Sequence, residues 1–192
     1  MPTSKTRYQI SEKEYLIGEL DSDIKHEYID GEVYAMVGAK IEHIRITGNL
    51  SRELGNHLKG KACSVFASDL KVKVGDNYYY PDVVVDCSVL EYGATFTENP
   101  VIVVEVLSES TRRVDRTHKK MEYMTLETLM EYVLIEQDIC KVEVYRRRDD
   151  WKPTYYTLGE NVDFESIDVR VSVEEIYDRI KNNDMLSFSS YP

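Results

Sequence analysis

Two carboxylates stand in this sequence where apolar side chains would be expected. Tyr80-Pro81-Asp82-Val83-Val84-Val85 reads as a strand. Pro100-Val101-Ile102-Val103-Val104-Glu105-Val106-Leu107 reads as a second, apolar on both faces and so central in a sheet. Leaving Asp82 and Glu105 unpaired beside so much valine is costly, so a bound cation or a cationic side chain should share their site. Lys119, on the helical pattern that follows, is the first side chain able to supply that charge. The other source is a divalent ion, because Mg2+ and Mn2+ prefer hard oxygen ligands and two or three carboxylates on adjacent strands make a credible nest. Such an ion polarises a phosphoryl oxygen and lowers the pKa of a bound water, as hydrolysis of a phosphodiester requires. Lys119 would then orient that water or stabilise the developing charge. Asp69 is a third carboxylate near the sheet, on the outward side of an alternating stretch from Cys63 to Val74.

The elements that must position these groups are legible in order. Ser11 and Glu14 form a capping box for a helix through about Leu20. His26-Glu27-Tyr28-Ile29 and Glu32-Val33-Tyr34-Ala35-Met36 flank Asp30-Gly31, a dipeptide suited to a tight hairpin turn. From Lys40 to about Lys59 the pattern is helical, with His43, Ile44, Thr47, Leu50, Leu54 and Leu58 on one side and Gly60 as the stop. Cys63 to Val74, the Asp82 segment and the Glu105 segment follow as a strand meander. Asp115 to about Glu131 is expected to be a helix whose apolar positions, Met121, Met124, Leu129 and Met130, fill core. Asp115, Lys119 and Tyr123, each four apart, share one face of it; the alternative for Asp115 and Lys119 is an exposed ion pair worth ~0.3–0.5 kcal/mol. Tyr132 to Ile135 and Lys141 to Arg146 are further strands, and Trp151 to Leu158 completes a hairpin. Ser172 and Glu175 cap a helix through about Ile180, and residues 184–192 read as a flexible tail. This order describes an α/β fold with a mixed central β-sheet, in a single domain over 1–192 with its core at about 27–147.

Composition narrows the partners. The formal charge is −11, with 24 Lys and Arg against 35 Asp and Glu. That argues against coating nucleic acid through a broad basic surface, but it allows a local basic cleft. Lys71, Lys73 and Arg146 to Arg148 are the candidates for a few phosphate contacts. Cys63, Cys87 and Cys140 are odd in number and set in apolar stretches, which reads as buried free thiols in a reducing cytoplasm. No signal-peptide pattern opens the chain, and no apolar run approaches the ~18 residues that span a bilayer.

Pro81-Asp82, then Glu105 on a hydrophobic strand, then a lysine, resembles the PD-(D/E)XK nuclease superfamily. Over roughly Glu27 to Arg147 the chain resembles, more narrowly, the Uma-two family of restriction endonucleases. Tyr28-Ile29-Asp30-Gly31-Glu32, His43, Ser68-Asp69-Leu70-Lys71-Val72, Tyr80-Pro81-Asp82-Val83-Val84 and Val104-Glu105-Val106-Leu107-Ser108 with Ser110-Thr111 carry the resemblance. It implies a restriction-endonuclease-like core flanked by helices and preceded by an N-terminal helix and hairpin. It also implies a Mg2+- or Mn2+-dependent nuclease acting on DNA, with Asp82 and Glu105 as metal ligands and the backbone carbonyl of Val106 completing the set. Asp69, His43 and Glu32 would support them. The general motif puts lysine two residues after the acid, where this chain has Leu107. The resemblance places the lysine on the following helix, where Asp115, Lys119 and Tyr123 match the narrower family; Lys120, turned about 100° away, is the fallback. Cutting both strands of a duplex favours a homodimer. The alternative of a different class is a catalytically inactive nucleic-acid-binding or protein-interaction module on the same fold.

Overall fold

The computed structural model of the chain describes residues 9–188. Helix α1 (Glu12–Leu20) opens with the expected Ser11–Glu14 capping box. Strands β1 (His26–Ile29) and β2 (Glu32–Ala35) form the expected hairpin, turning at Asp30 (φ 52°) and Gly31 (φ 84°), both in the left-handed region that such a turn demands.

The stretch from Cys63 to Val74 is not one strand. It breaks at Ser68 (φ 64°) into β3 (Ser64–Ala67) and β4 (Lys71–Val74), which lie in different sheets. The chain crosses back in the same way, from β5 (Asn77–Tyr79) through Tyr80-Pro81-Asp82 into β6 (Val83–Asp86). Pro81 cannot donate to a ladder, so a break falls there naturally. Strands β2, β1, β5, β4 and β7 (Phe96–Thr97) make a five-stranded sheet in that order. A six-stranded sheet runs β11-β10-β9-β8-β6-β3, with β8 (Pro100–Leu107), β9 (Glu131–Glu136), β10 (Lys141–Arg146) and β11 (Pro153–Thr157). Only its β8–β9 pair is parallel, so the sheet is mixed as expected.

Alternation along β8 gives the larger sheet two different faces. On one, Val83, Val85, Ile102, Val104, Val106, Val133 and Ile135 pack against Ile46, Leu50, Leu54 and Leu58 of α2 (Ile41–Leu58). The buried stripe of α2 runs at intervals of four from Ile46, and Ile44, expected on it, is exposed. The other face is aromatic: Val103, Leu107 and Leu134 lie with Tyr79, Tyr123, Tyr132 and Tyr145. Glu105 belongs to this second face.

The helix after β8 is shorter than expected. It consists of α3 (Arg112–Val114), a π-helical turn (Asp115–Lys119) and α4 (Lys120–Tyr123), and the chain then runs in tight turns to β9. The carbonyls those turns free are met by Arg147, whose guanidinium donates to Leu129 O at 2.7 Å and to Leu126 O. Leu129 is buried, but Met121 and Met130 are exposed rather than filling core. A hairpin of β12 (Asn161–Phe164) and β13 (Val169–Ser172) follows, then α5 (Val173–Ile176) on its Ser172–Glu175 capping box, ending before Ile180. Residues 184–188, expected to belong to a flexible tail, lie in α6 (Asn183–Phe188); residues 189–192 lie outside those described.

The cysteine expectation fails for two of the three. Cys63 and Cys87 are disulfide-bonded, and Cys140 alone is free and buried. The pairing follows from the ladder: Ser64 opposes Asp86 between β3 and β6, so the next residues outward face each other. An odd cysteine count concealed the pair.

Candidate active site

Asp82 and Glu105 meet through the same kind of register. Val83 opposes Val104 between β6 and β8, so Asp82 stands opposite Glu105 where the two strands part. One carboxylate oxygen of Asp82, Oδ2, accepts from the amide of Val106 at 2.6 Å, and the other, Oδ1, lies 2.7 Å from His43 Nε2 in the first turn of α2. It is thus the amide of Val106 that this geometry engages. Glu105 is buried, with Oε1 at 3.4 Å from both Lys119 Nζ and the Tyr123 hydroxyl. Burial pushes its carboxyl well above the ordinary range; Lys119 opposes that rise, while the charges of Asp115, Asp82 and Glu27 add to it.

The π-helical turn brings Asp115 and Lys119 inward. Such turns recur at functional sites because the extra residue re-aims side chains. Lys119, only 6% exposed, reaches Glu27 Oε1 at 2.7 Å, Glu105 Oε1 at 3.4 Å and Asp115 Oδ1 at 3.4 Å. Asp115 and Tyr123 are buried beside it, so the three residues share a face as expected and the exposed-ion-pair alternative is removed. Burial opposes the charge on Lys119, but Glu105, Glu27 and Asp115 outweigh it and raise its pKa. Burial raises Asp115 as well, against Lys119. Lys120 points elsewhere, its Nζ 4.6 Å from the centroid of the Tyr145 ring.

Three carboxylates therefore share one ammonium, Glu105 and Asp115 buried and Glu27 partly so. With all of them ionised the group carries a surplus of negative charge, which in an apolar setting demands a proton or a further cation. Among the described residues no three His, Cys, Asp and Glu side chains are grouped as a ready metal site. The chemistry of the donors nonetheless suits Mg2+ or Mn2+: these ions are usually held by one or two carboxylates with water filling the rest, and Asp82 and Glu105 supply hard oxygens at the mouth of the charge surplus.

Residues 12–174 match the model of the Uma2 family, described as "Putative restriction endonuclease". The chain belongs to the Uma2 family. Two proteins of Synechocystis sp. are similar to it. "Uncharacterized protein slr1290" is 36% identical over 174 residues, covering 88% of this chain and 92% of that one. "Uncharacterized protein sll1609" is 35% identical over 159 residues, covering 79% and 89%. A crystal structure from Anabaena variabilis, of a "putative nuclease belonging to DUF820", has a TM-score of 0.70 at 20% identity, over 88% of this chain and 97% of that one. At that identity the likeness establishes fold, and the fold is the restriction-endonuclease-like α/β architecture expected of a Uma2 chain.

Not every expected site residue is in the cluster. Asp69 follows the break at Ser68, its side chain 79% exposed and paired with Lys25, so it is not a third buried acid. Glu32, on the outer strand β2, accepts a hydrogen bond from Tyr34 at 2.9 Å. The residue that sequence reading missed is Glu27, next to Tyr28 in β1. Its strand carries no clean alternation, and one acid among 35 Asp and Glu gives no signal until the two sheets are brought together.

Most of the basic residues expected to contact phosphate are also committed internally. Lys71 is buried against Tyr80, Lys73 pairs with Glu12 at 2.7 Å, and Arg146 is buried on Glu131. Arg147 holds the carbonyls before β9, which leaves Arg148, exposed but paired with Glu165, as the outward one. No helix among the described residues is long and apolar enough to cross a membrane.

Proposed function

We propose that this Uma2 protein is a metal-dependent nuclease that hydrolyses phosphodiester bonds in DNA, with a homodimer as the form that cuts both strands. One observation carries the reading: Glu105, a carboxylate on the central strand, is buried opposite Asp82 and shares a single ammonium with two more acids. Asp82 and Glu105 would hold Mg2+ or Mn2+, which when bound supplies charge to the scissile phosphate and acidifies a water. Lys119 orients that water and offsets the negative charge that grows on the phosphate oxygens. His43 holds one oxygen of Asp82, the Val106 amide holds the other, and Tyr123 steadies Glu105.

A second reading, the inactive module on the same fold, is favoured by the ammonium of Lys119 already lying among the acids. A cleavage screen on single-stranded, duplex and branched DNA with Mg2+ or Mn2+, run beside calorimetric titration with Ca2+, separates the two. The nuclease reading expects divalent-dependent cleavage and Ca2+ binding, both lost in the Asp82→Ala, Glu105→Ala double variant. Absence of cleavage and of ion binding in the wild-type protein favours the module.

A further inference from the structure

We infer that Glu27 is a positioning residue that holds the ammonium of Lys119 at a set distance from the Pro81-Asp82 turn, and that the N-terminal hairpin is thereby part of the active site; the inference rests on the nuclease reading. Of the three carboxylates around Lys119 Nζ, Glu27 lies at 2.7 Å while Glu105 and Asp115 are both at 3.4 Å. The same oxygen, Glu27 Oε1, accepts a second hydrogen bond from the backbone amide of Tyr80 at 3.2 Å. Tyr80 is two residues before Asp82, so a single atom ties the ammonium on the helix to the segment that presents the metal-binding acid.

That tie also crosses between sheets. Glu27 is on β1 of the five-stranded sheet, while Glu105 is on β8 of the six-stranded one. When Glu105 turns its oxygens to a divalent ion, its long contact to Lys119 is the one weakened. Glu27 engages no ion in this reading, and it keeps the ammonium in place. Charge-assisted hydrogen bonds of this length are the strong ones, and they hold geometry as well as charge. The hairpin beneath is itself anchored, by Tyr28 with its hydroxyl on Ile10 O at 2.9 Å and by Asp30 with its amide on Asn77 Oδ1 at 2.9 Å.

The test is Glu27→Ala and Glu27→Gln in the full chain, read four ways. The inference expects kcat for DNA cleavage to fall about 10²-fold in Glu27→Ala, the cost of misplacing a reacting group by about 1 Å. It expects KM to stay within about twofold, as when an interaction made only in the transition state is removed. Glu27→Gln, which keeps the accepting oxygen, should recover part of the rate, and so should acetate added to Glu27→Ala. Ca2+ binding by calorimetry should be retained. Acylation of Lys119 by an amine-reactive reagent, scored by mass spectrometry against Lys120 in the same molecule, should rise about tenfold, the opening expected on loss of one charged hydrogen bond.

Wild-type kcat in Glu27→Ala, or a fall that neither Gln nor acetate relieves with Lys119 acylation unchanged, overturns the inference. Loss of Ca2+ binding overturns it too, because Glu27 would then be a ligand. If the wild-type protein cleaves no DNA, the nuclease reading fails by itself and the acylation arm still decides: an unchanged rate at Lys119 overturns the tie to Glu27, and a raised rate upholds it.

Discussion

Two buried glutamates on one face of the six-stranded sheet have opposite fates. Glu105 of β8 opposes Leu134 of β9, and Leu134 opposes Glu143 of β10, so the two acids lie in one row with a leucine between. Glu143 is matched with near-complete hydrogen bonding: Arg116 donates to both of its oxygens at 2.8 and 3.0 Å, Lys141 reaches it at 2.9 Å and the Tyr145 hydroxyl at 3.1 Å. Burial alone would raise its carboxyl, but those donors outweigh burial and bring it down to about 2. Glu105 has one ammonium at 3.4 Å, shared with two other acids, and burial prevails. A charge that the fold has fully paired is architecture. One that the fold has left short of positive charge is, on the nuclease reading, where a cation from outside would bind.

The largest expected effect breaks that contrast at its functional end. Cleavage by the Asp82→Ala, Glu105→Ala double variant should fall at least ~10³-fold, about 4 kcal/mol of transition-state stabilisation at 1.36 kcal/mol per decade. Lys119→Ala should fall comparably, while Glu143→Gln should keep its rate. Rates measured on a DNA substrate in Mn2+ check all three. A Glu143→Gln protein that is folded and inactive would mean that the two acids do not divide as their pairing implies.

Stability should reverse the order. Glu143→Gln breaks the two-pronged contact with Arg116, which keeps Glu136 at 2.7 Å, and is expected to cost about 1.5–3 kcal/mol in denaturant unfolding, the worth of hydrogen bonds to a charged group. Glu105→Gln removes a charge that the interior disfavours, so it should be neutral or stabilising by about 1 kcal/mol. Equal losses in both would erase the distinction.

The pH dependence sharpens it further. The raised carboxyl of Glu105 keeps its proton in the folded state after the unfolded chain has lost it, so stability from this group is present in acid and falls as pH rises above the ordinary carboxylate range. The lowered carboxyl of Glu143 does the reverse: its contribution is present above the ordinary range and is lost as pH falls toward about 2. Urea unfolding across pH should therefore show an acid limb that flattens in Glu143→Gln and an upper limb that flattens in Glu105→Gln.

How much of this was legible in the sequence follows from what each signal depends on. Asp82, Glu105 and Lys119 were visible because local pattern alone makes a charge among valines, or a lysine four residues from an aspartate, conspicuous. Glu27 was not, since its meaning comes from β1 pairing with β5 and bringing the hairpin to the helix, contacts separated by 92 positions from Glu27 to Lys119. Asp69 was misplaced because alternation continues through Ser68 in the sequence while the backbone there turns into the left-handed region and changes sheet. In β10 the sheet face was readable from period two, with Val142 and Val144 on one side and Tyr145 on the other. The sheet to which each strand belongs was not, because two short strands in series look like one long one.

The smallest expected effect separates two adjacent lysines. Lys119 belongs to the Glu105 end of the row, and Lys120, about 100° further round the helix, belongs to the Glu143 end, because the Tyr145 ring over which its ammonium lies at 4.6 Å also donates its hydroxyl to Glu143. A cation over a tyrosine face is worth about 0.5–1 kcal/mol where it remains partly solvated. Lys120→Ala should lower unfolding stability by about that much and leave cleavage at the wild-type rate, whereas Lys119→Ala should lower cleavage by about 10³-fold. Measured together, the pair asks whether one residue of helical rotation carries the chain from architecture to chemistry. A Lys120→Ala protein that loses cleavage at unchanged stability would move the reacting ammonium to the neighbouring residue and dissolve the division between the two glutamates.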